Sequence, residues 1–417
     1  MKRIKSLILV TVVLFVAVVF SIGVFAKNTG DIVVALEIDN PIMKINGAEF
    51  EVDEGRGTTP VIINGRTMVP IRAIIEAFGG AVGWDEDSKS VIITMDGDTV
   101  TLVIDSFDAY INGRLETLDT PPAIVNGRTM LPARFVAEGF GLGVAWNGDL
   151  NRVCIIKNLF EDNEYDRLMT SLPEYSGDAY VLVNNNKPFF EEYEIIDGAF
   201  EYYSKPDELG RCGVCFSSVE KSLMPVEERG NIGSVTPTGW KNAEYSVVSG
   251  GYLYNRCHLI GFQLTGENDN ERNLITGTRY LNIDGMLSFE NEIAEYVMET
   301  GNNVMYRSTP VFTDDNLLCD GVLLEAYSVE DNGEGISFCV FCYNVQPGVI
   351  IDYKTGESRE DENYTPVVTV YRTPFGKKYH YDAECGGENS YETSLEKAEE
   401  DGLTPCLKCV NGGKHEE

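Results

Sequence analysis

Histidine is scarce in these 417 residues: His258, His380 and His415 are the only three. Side chains that exchange protons near pH 7 are therefore available at few positions. Cationic residues are also in the minority, with 33 Lys and Arg against 66 Asp and Glu and a formal charge of −33. This balance argues against broad, charge-driven binding to nucleic acid. It leaves room for a local positive cleft aided by a divalent ion, and it suits a secreted chain that must stay soluble. Residues 41–157 contain no histidine, and Cys154 is their only cysteine. That excludes an ordinary copper site there.

A chain of this length is expected to hold roughly two to four domains. Its start is Met1-Lys-Arg-Ile-Lys5, followed by an apolar run from Leu7 to Phe25. Val24-Phe-Ala26 before Lys27 fits signal peptidase cleavage, so residues 1–26 are expected to be a signal peptide. The run is also long enough to be an uncleaved membrane anchor. In either case the remainder lies outside the cytoplasm, and secretion is the expectation.

Residues 41–157 repeat internally. Asn64-Gly-Arg-Thr-Met-Val-Pro-Ile-Arg72 returns as Asn126-Gly-Arg-Thr-Met-Leu-Pro-Ala-Arg134, and Trp84 returns as Trp146. Asn-Gly pairs between extended runs read as hairpins. A short helix follows each Pro, ends at Gly79 or Gly141, and leads to a Trp-bearing strand. These features describe a compact α+β module in two copies. The copies resemble the copper amine oxidase amino-terminal-like domain. Arg66 and Arg128 read as turn-stabilising residues. The pair reads as a surface or cell-wall adhesion unit, or as a plain spacer.

The chemistry concentrates in residues 252–297. Tyr252-Leu-Tyr-Asn-Arg-Cys-His258 reads as a strand ending in Arg256 and His258. A polar loop, residues 266–273, comes next, then Thr278-Arg-Tyr-Leu-Asn282 and a helix from Asn282. Met286, Ile293 and Val297 form an apolar stripe at helical spacing. Asn282 and Glu290 fall on that stripe, whereas Glu292 and Glu295 lie opposite. A buried amide and carboxylate cost free energy unless paired. A hydrated metal beside a histidine is such a partner. The set suits metal-assisted phosphodiester hydrolysis. A neutral imidazole takes a proton from water, and an amide oxygen suits Mg²⁺. The ion offsets charge on the phosphorane, and Arg256 holds the phosphate. Taken singly, a histidine after a strand is usually structural, and an Asn opening a helix is usually an N-cap.

Asn255-Arg256-Cys257-His258, followed by Asn273, Asn282 and Glu290, resembles the DNA/RNA non-specific endonucleases of the ββα-metal class. The resemblance spans roughly residues 171–353. The family motif is usually Asp-Arg-Gly-His, so Asn255 and Cys257 depart at its first and third positions. The resemblance implies His258 as general base and Asn282 as direct ligand of Mg²⁺, or of Mn²⁺ or Ca²⁺. It implies that Glu290 holds water of that ion and that Arg256 contacts the transition-state phosphate. It makes Asn273 a supporting residue of the metal site that shapes the loop. Arg279 and Trp240 are further candidates for substrate contact.

Around this core, 159–175 reads as an acidic linker. Strands are expected at 303–312, 322–328, 336–344 and 346–351, forming a largely antiparallel sheet with the Asn282 helix packed on it. Cys339 and Cys342 lie on opposite faces of a strand and are poor joint ligands. Cys212 and Cys215 are open between core, redox pair and disulfide, with core preferred. In the tail, His380, Cys385, Cys406 and Cys409 offer four soft ligands for tetrahedral Zn²⁺. Residues 367–412 resemble a small zinc-ribbon-like module, with disulfides as the alternative in an exported chain. His415 lies in a frayed end.

The expected fold class is α+β: a ββα-metal nuclease core on a mainly antiparallel sheet, two small α+β repeats before it and a Cys/His module after it. The expected function is an exported metal-dependent endonuclease acting on DNA and RNA. The alternatives are a non-catalytic cell-surface protein that binds nucleic acid, and a phosphodiesterase acting on another envelope polymer.

Overall fold

The structure, a computed structural model, describes residues 32–410 apart from 149, 158–171, 197, 366–367, 375 and 388. The expected signal peptide, most of the expected linker and His415 lie outside the described residues. Among the described residues, no helix is long and apolar enough to cross a membrane. The chain forms two compact units. The first holds the residues up to Asn242 with Tyr254–Val345 and Asp352–Glu357, and the second holds the remainder.

The first repeat supplies β1 (Ile32–Glu37), β2 (Ile42–Ile45), β3 (Ala48–Glu51), β4 (Val61–Ile63) and β5 (Arg66–Val69). It continues with α1 (Arg72–Ala77), β6 (Ala81–Asp85) and β7 (Ser90–Met95). The second supplies β8 (Asp98–Val103), β9 (Asp108–Ile111), β10 (Arg114–Thr117), β11 (Ala123–Val125) and β12 (Arg128–Pro132). It ends with α2 (Ala133–Gly139), β13 (Gly143–Asn147) and β14 (Arg152–Lys157). Asn46-Gly47, Asn64-Gly65, Asn112-Gly113 and Asn126-Gly127 have positive φ at both residues, which is the backbone of a two-residue hairpin turn.

The two copies are one interlocked body rather than separate modules. β14 pairs antiparallel with β1, giving the sheet β13-β14-β1-β2-β3 beside a second sheet β10-β9-β8-β7-β6. A third sheet, β11-β12-β5-β4, joins the repeats through Leu131 and Val69. Alone, either repeat would expose a strand edge and an apolar helix face. Arg128 donates to Asp53 at 2.6 and 3.2 Å, and Arg66 pairs with Asp119. Asp53 and Asp119 sit at the same offset beyond Asn46 and Asn112. Each repeated arginine thus reaches the other repeat, so the reading of Arg66 and Arg128 as local turn residues is replaced by a cross-repeat one.

The following domain supplies β15 (Tyr180–Leu182), β16 (Phe200–Tyr203), β17 (Cys215–Val219) and β18 (Tyr254–His258). Next come α3 (Phe262–Thr265), β19 (Leu274–Thr278), a π-helical turn at Leu281–Met286 and α4 (Leu287–Thr300). β20 (Val304–Val311), β21 (Gly321–Ser328) and β22 (Ser337–Tyr343) complete it. The sheet order is β15-β22-β21-β20-β17-β16, antiparallel throughout. β20 is buried along its whole length, as expected for a strand covered on both faces.

On one face, Leu281, Met286, Ile293 and Val297 pack against Val304, Tyr306, Leu324 and Val340. On the other, Phe200, Tyr202, Phe216 and Met305 meet Val33, Ala145, Cys154 and Ile156 of the repeats. Gly198 passes so close to Trp146 that a Cβ on it would lie 2.9 Å from the Trp146 carbonyl oxygen. At the positions equivalent to Val33, Ala35, Ala145 and Ile156, the other repeat sheet carries Thr99, Thr101, Gly83 and Thr94. The equivalent positions of the two repeats have therefore diverged between the sheet that meets the nuclease sheet and the one that does not. Arg307 is also buried on this face, donating to Glu325 at 2.8 Å and to Glu194 at 3.2 Å. Cys339 and Cys342 enter cores on opposite faces of β22, and no disulfide links cysteines among the described residues.

The second unit contains β23 (Val349–Ile351) paired with β24 (Ser358–Glu360), and a sheet β27-β25-β26-β28. That sheet is built from β25 (Thr369–Arg372), β26 (Lys378–His380), β27 (Tyr391–Ser394) and β28 (Thr404–Pro405). Helices α5 (Ala383–Gly386), α6 (Leu395–Glu400) and α7 (Leu407–Val410) flank it. Val370, Tyr379, Ala398 and Leu403 are its buried core. So small a core contributes little stability of its own.

A chain starting at residue 172 uncovers Phe200, Tyr202, Phe216 and Met305. Fully burying an aliphatic or aromatic side chain of this size is worth about 1.5–3 kcal/mol. We expect the shortened protein to bind a hydrophobic dye and to self-associate in gel filtration. A monomeric, dye-silent product would show that the repeats do not stabilise the nuclease sheet.

Candidate active site and candidate metal centre

His258 ends β18, which pairs with β19 so that His258 faces Leu274 in register. The connection between these strands is held by Asn273. Its Oδ1 accepts from the Ile260 N–H at 2.8 Å, and its Nδ2 donates to the Ile260 carbonyl at 2.9 Å. Both ends of this fully buried amide are thus committed to main chain. The side chain thereby shapes the loop. The loop brings the Asn268 carbonyl to 2.9 Å from His258 Nε2.

That contact sets the tautomer. A carbonyl oxygen only accepts, so Nε2 carries the hydrogen and Nδ1 keeps its lone pair. Nδ1 lies 3.3 Å from Nη2 of Arg229, which donates to it. Burial lowers the His258 pKa below its ordinary value, and the Arg229 charge acts in the same direction. The ring is therefore neutral at pH 7 and ready to take a proton at Nδ1.

Glu290, on the first turn of α4, is buried. Its carboxylate receives the Gly261 N–H, and its Oε1 has no hydrogen-bond partner among the described residues. Glycine at 261 permits this approach, because a Cβ there would lie 2.6 Å from Oε2. Burial raises the Glu290 pKa to about 8, against smaller lowering effects of the Gly261 N–H and Arg229. Arg229 acts electrostatically on His258, Glu290 and Cys257 alike, so one exposed guanidinium lies within reach of all three.

Asn282 lies in the π-helical turn, not on a regular α-helical stripe. Such turns insert one extra residue per turn and redirect side chains, and they recur at functional sites. Its Oδ1 accepts from the Cys257 thiol at 2.9 Å. Burial holds the Cys257 thiol well above its ordinary pKa, so it keeps its hydrogen. An amide oxygen and an unsatisfied carboxylate oxygen are hard donors that fit a divalent cation of the Mg²⁺ type.

Arg256 points to the loop at 233–240. It donates to the Val235 carbonyl at 2.5 Å and the Gly233 carbonyl at 3.1 Å, and it stacks 4.3 Å from the Trp240 ring centroid. Arg279 approaches Asn255 Oδ1 at 3.5 Å. Arg229 was not singled out in the sequence. It sits in a loop rich in Gly and Pro, without periodicity, and only the fold brings it to His258.

Cys212 and Cys215 donate to carbonyls of residues 271–274, the segment that carries Asn273. Burial pushes the Cys212 thiol up to about 11. In the second unit, His380 Nδ1 lies 3.4 Å from Cys385 Sγ and 3.5 Å from Cys409 Sγ. Cys385 and Cys406 sulfurs are 3.9 Å apart. All four ligand atoms fall within 4.8 Å of one another. A disulfide requires about 2.05 Å between sulfurs. Tetrahedral zinc with bonds of about 2.0–2.3 Å separates its ligand atoms by roughly the distances seen here. The Cys406 thiol is lowered chiefly by the Lys408 and Cys409 N–H groups, which favours the metal-binding thiolate.

His258 Nδ1, which accepts from the exposed Arg229, is an imidazole nitrogen able to take a proton, and Asn282 and Glu290 carry hard oxygen atoms of the kind a divalent ion takes. Family comparison gives the class more closely. Residues 192–330 match the family described as DNA/RNA non-specific endonuclease, and residues 44–155 match the copper amine oxidase N-terminal domain. The chain thus carries, over residues 192–330, a region that matches a nuclease family whose described substrates are DNA and RNA. Among solved structures, NucA from Streptococcus agalactiae with magnesium ion bound is similar at 21% identity and TM-score 0.41. The match covers 49% of this chain and 97% of that one. The metal-free NucA structure matches at 21% and 0.41, covering 48% and 95%. Sda1 nuclease with bound zinc ion matches at 23% and 0.39, covering 44% and 97%.

Glu290 has a testable cost. Its folded pKa, about 8, exceeds the ordinary 4.5. As pH rises through that window the unfolded chain ionises first, so stability falls and then levels off above pH 8. Glu290→Gln removes this dependence. With chelator present, we expect the variant to melt above wild type at pH 8 by on the order of 5 °C and to match it near pH 5. Parallel melting curves across the range would show that Glu290 is not buried as a free carboxyl.

Proposed function

We propose that this chain is an exported endonuclease that hydrolyses phosphodiester bonds in DNA and RNA with little sequence preference. His258 is the general base, Asn282 is the direct ligand of one Mg²⁺-type ion, with Mn²⁺ or Ca²⁺ as substitutes, and Glu290 holds water of that ion. The observation that carries this reading is the His258 ring: Nε2 is committed to the Asn268 carbonyl, and the Nδ1 lone pair, facing Arg229, is the proton acceptor.

Nδ1 takes the proton of the attacking water, and the Asn268 carbonyl steadies the imidazolium through Nε2–H. Arg229 gives up Nδ1 as the water approaches, because one lone pair cannot accept from both. Its guanidinium is then free for a phosphate oxygen, where charge grows during attack. Arg256, stacked on Trp240, is the second cation of the cleft wall. The divalent ion, when bound, offsets charge on the phosphorane and the leaving oxygen. Contacts of this kind address the backbone rather than base edges, which accounts for low sequence preference. Asn273 supports the site by shaping the loop. Export rests on residues 1–26, and a cell-wall or surface role is kept for the exposed faces of the repeats. The tail cluster, His380, Cys385, Cys406 and Cys409, is assigned to structural Zn²⁺.

Nicking of supercoiled plasmid, with and without chelator, tests the reading. We expect nicking with Mg²⁺ and none with chelator. His258→Ala should lower the rate at least about 1,000-fold with an unchanged melting curve, and Arg229→Ala about 100-fold. Full activity in His258→Ala would remove the assignment. Absence of nicking with any divalent ion would leave a nucleic-acid-binding role instead.

Elemental analysis tests the tail. About one zinc per purified chain is expected, lost in Cys406→Ser together with the order of residues 368–410. A metal-free wild type with a disulfide between tail cysteines would overturn the zinc reading.

A further inference from the structure

We infer that Cys257 is a positioning residue for the candidate metal-binding amide: its thiol holds Asn282 Oδ1 in the orientation that a cation requires. The inference rests on the reading of Asn282 as a ligand. An Asn side chain can place either its oxygen or its NH₂ at a given point, and only its partners decide between them. Here the partner is a thiol 2.9 Å from Oδ1. A thiol donates one hydrogen and accepts only weakly, so it selects the oxygen and disfavours the flipped amide. Cys257 has no exposed surface, so water does not compete for the contact. Oδ1 retains its second lone pair for a cation. In the flipped amide, NH₂ would occupy that place and repel the ion.

The surroundings are built for this side chain. Gly277 on β19 leaves the space, since a Cβ there would lie 2.7 Å from Cys257 Cβ and 3.1 Å from its sulfur. Met286 Sδ closes the other side at 3.9 Å. The contact also spans two elements, tying β18 to the π-helical turn that carries Asn282. Cys257 stands where the family motif usually has glycine. The departure therefore adds a supporting hydrogen bond to the ligand.

Full-length protein stripped of metal is titrated with Mn²⁺, and free Mn²⁺ is read by electron paramagnetic resonance. Cys257→Ser keeps a donor and should bind within about two-fold of wild type. Cys257→Val keeps similar volume without a donor and should bind about 10-fold more weakly, the loss typical of a missing ligand support. Asn282→Ala is the control for the underlying reading and should lose this binding altogether. If Asn282→Ala binds as wild type, Asn282 is not a ligand. If it loses binding while Cys257→Val keeps wild-type affinity, the ligand reading stands and the positioning role is overturned. Should Cys257→Val fail to fold, Raman spectroscopy decides. The wild-type-minus-Cys257→Ser difference isolates the S–H stretch of residue 257. That band should shift toward a free thiol in Asn282→Ala, and an unmoved band would overturn the inference.

Discussion

A carboxyl group sealed against a glycine backbone underlies the rest of the site. Glu290 enters the core at a real energetic penalty, because burial disfavours its charged form. Two features reduce that penalty: the Gly261 N–H and the nearby Arg229 charge. Neither satisfies Oε1. The Gly261 N–H reaches the Glu290 carboxylate, and the Arg229 charge acts on it together with His258 and Cys257. The oxygen atoms of Glu290 and Asn282 are hard donors of the kind a divalent cation takes.

The scaffold explains how such strain is tolerated. The six-stranded sheet is covered on both faces, by α4 and its hairpin on one side and by the repeats on the other. The repeats are closed on themselves through the β1–β14 pair and the crossed Arg–Asp contacts. They present an apolar face where they meet Phe216 and Met305, and threonines at the equivalent places on their second sheet. A flexible spacer would need no such asymmetry. The repeats act as part of the nuclease's packing, whatever further contacts their exposed faces make.

Much of this was legible from residue order. Asn-Gly turns, alternating strands and the Arg-Cys-His strand end each carry local signals, because hairpin and strand preferences act over a few residues. The opposed placement of Cys339 and Cys342 followed from strand geometry alone. Other features were not legible. Helical periodicity put Asn282 on a regular stripe, whereas a π-helical turn carries it. Arg66 and Arg128 read as local residues, yet each reaches the other repeat. Arg229 lies 29 positions before His258 in a loop without pattern, and no spacing rule connects them. Arg256, in the motif itself, turned out to grip a loop.

The amino-acid sequence by itself determined the nuclease-like region at 192–330, the strand end that carries His258, the repeats and the Cys/His pattern of the tail. These depend on side-chain chemistry and on short-range pattern, which a linear text preserves. Only the tertiary structure decided which imidazole nitrogen meets a carbonyl, which meets a guanidinium, and that the Cys257 thiol faces the Asn282 amide. Those are matters of direction and of a few tenths of an ångström between segments distant in the chain. They are set by loop closure and core packing, which no local stretch of residues encodes.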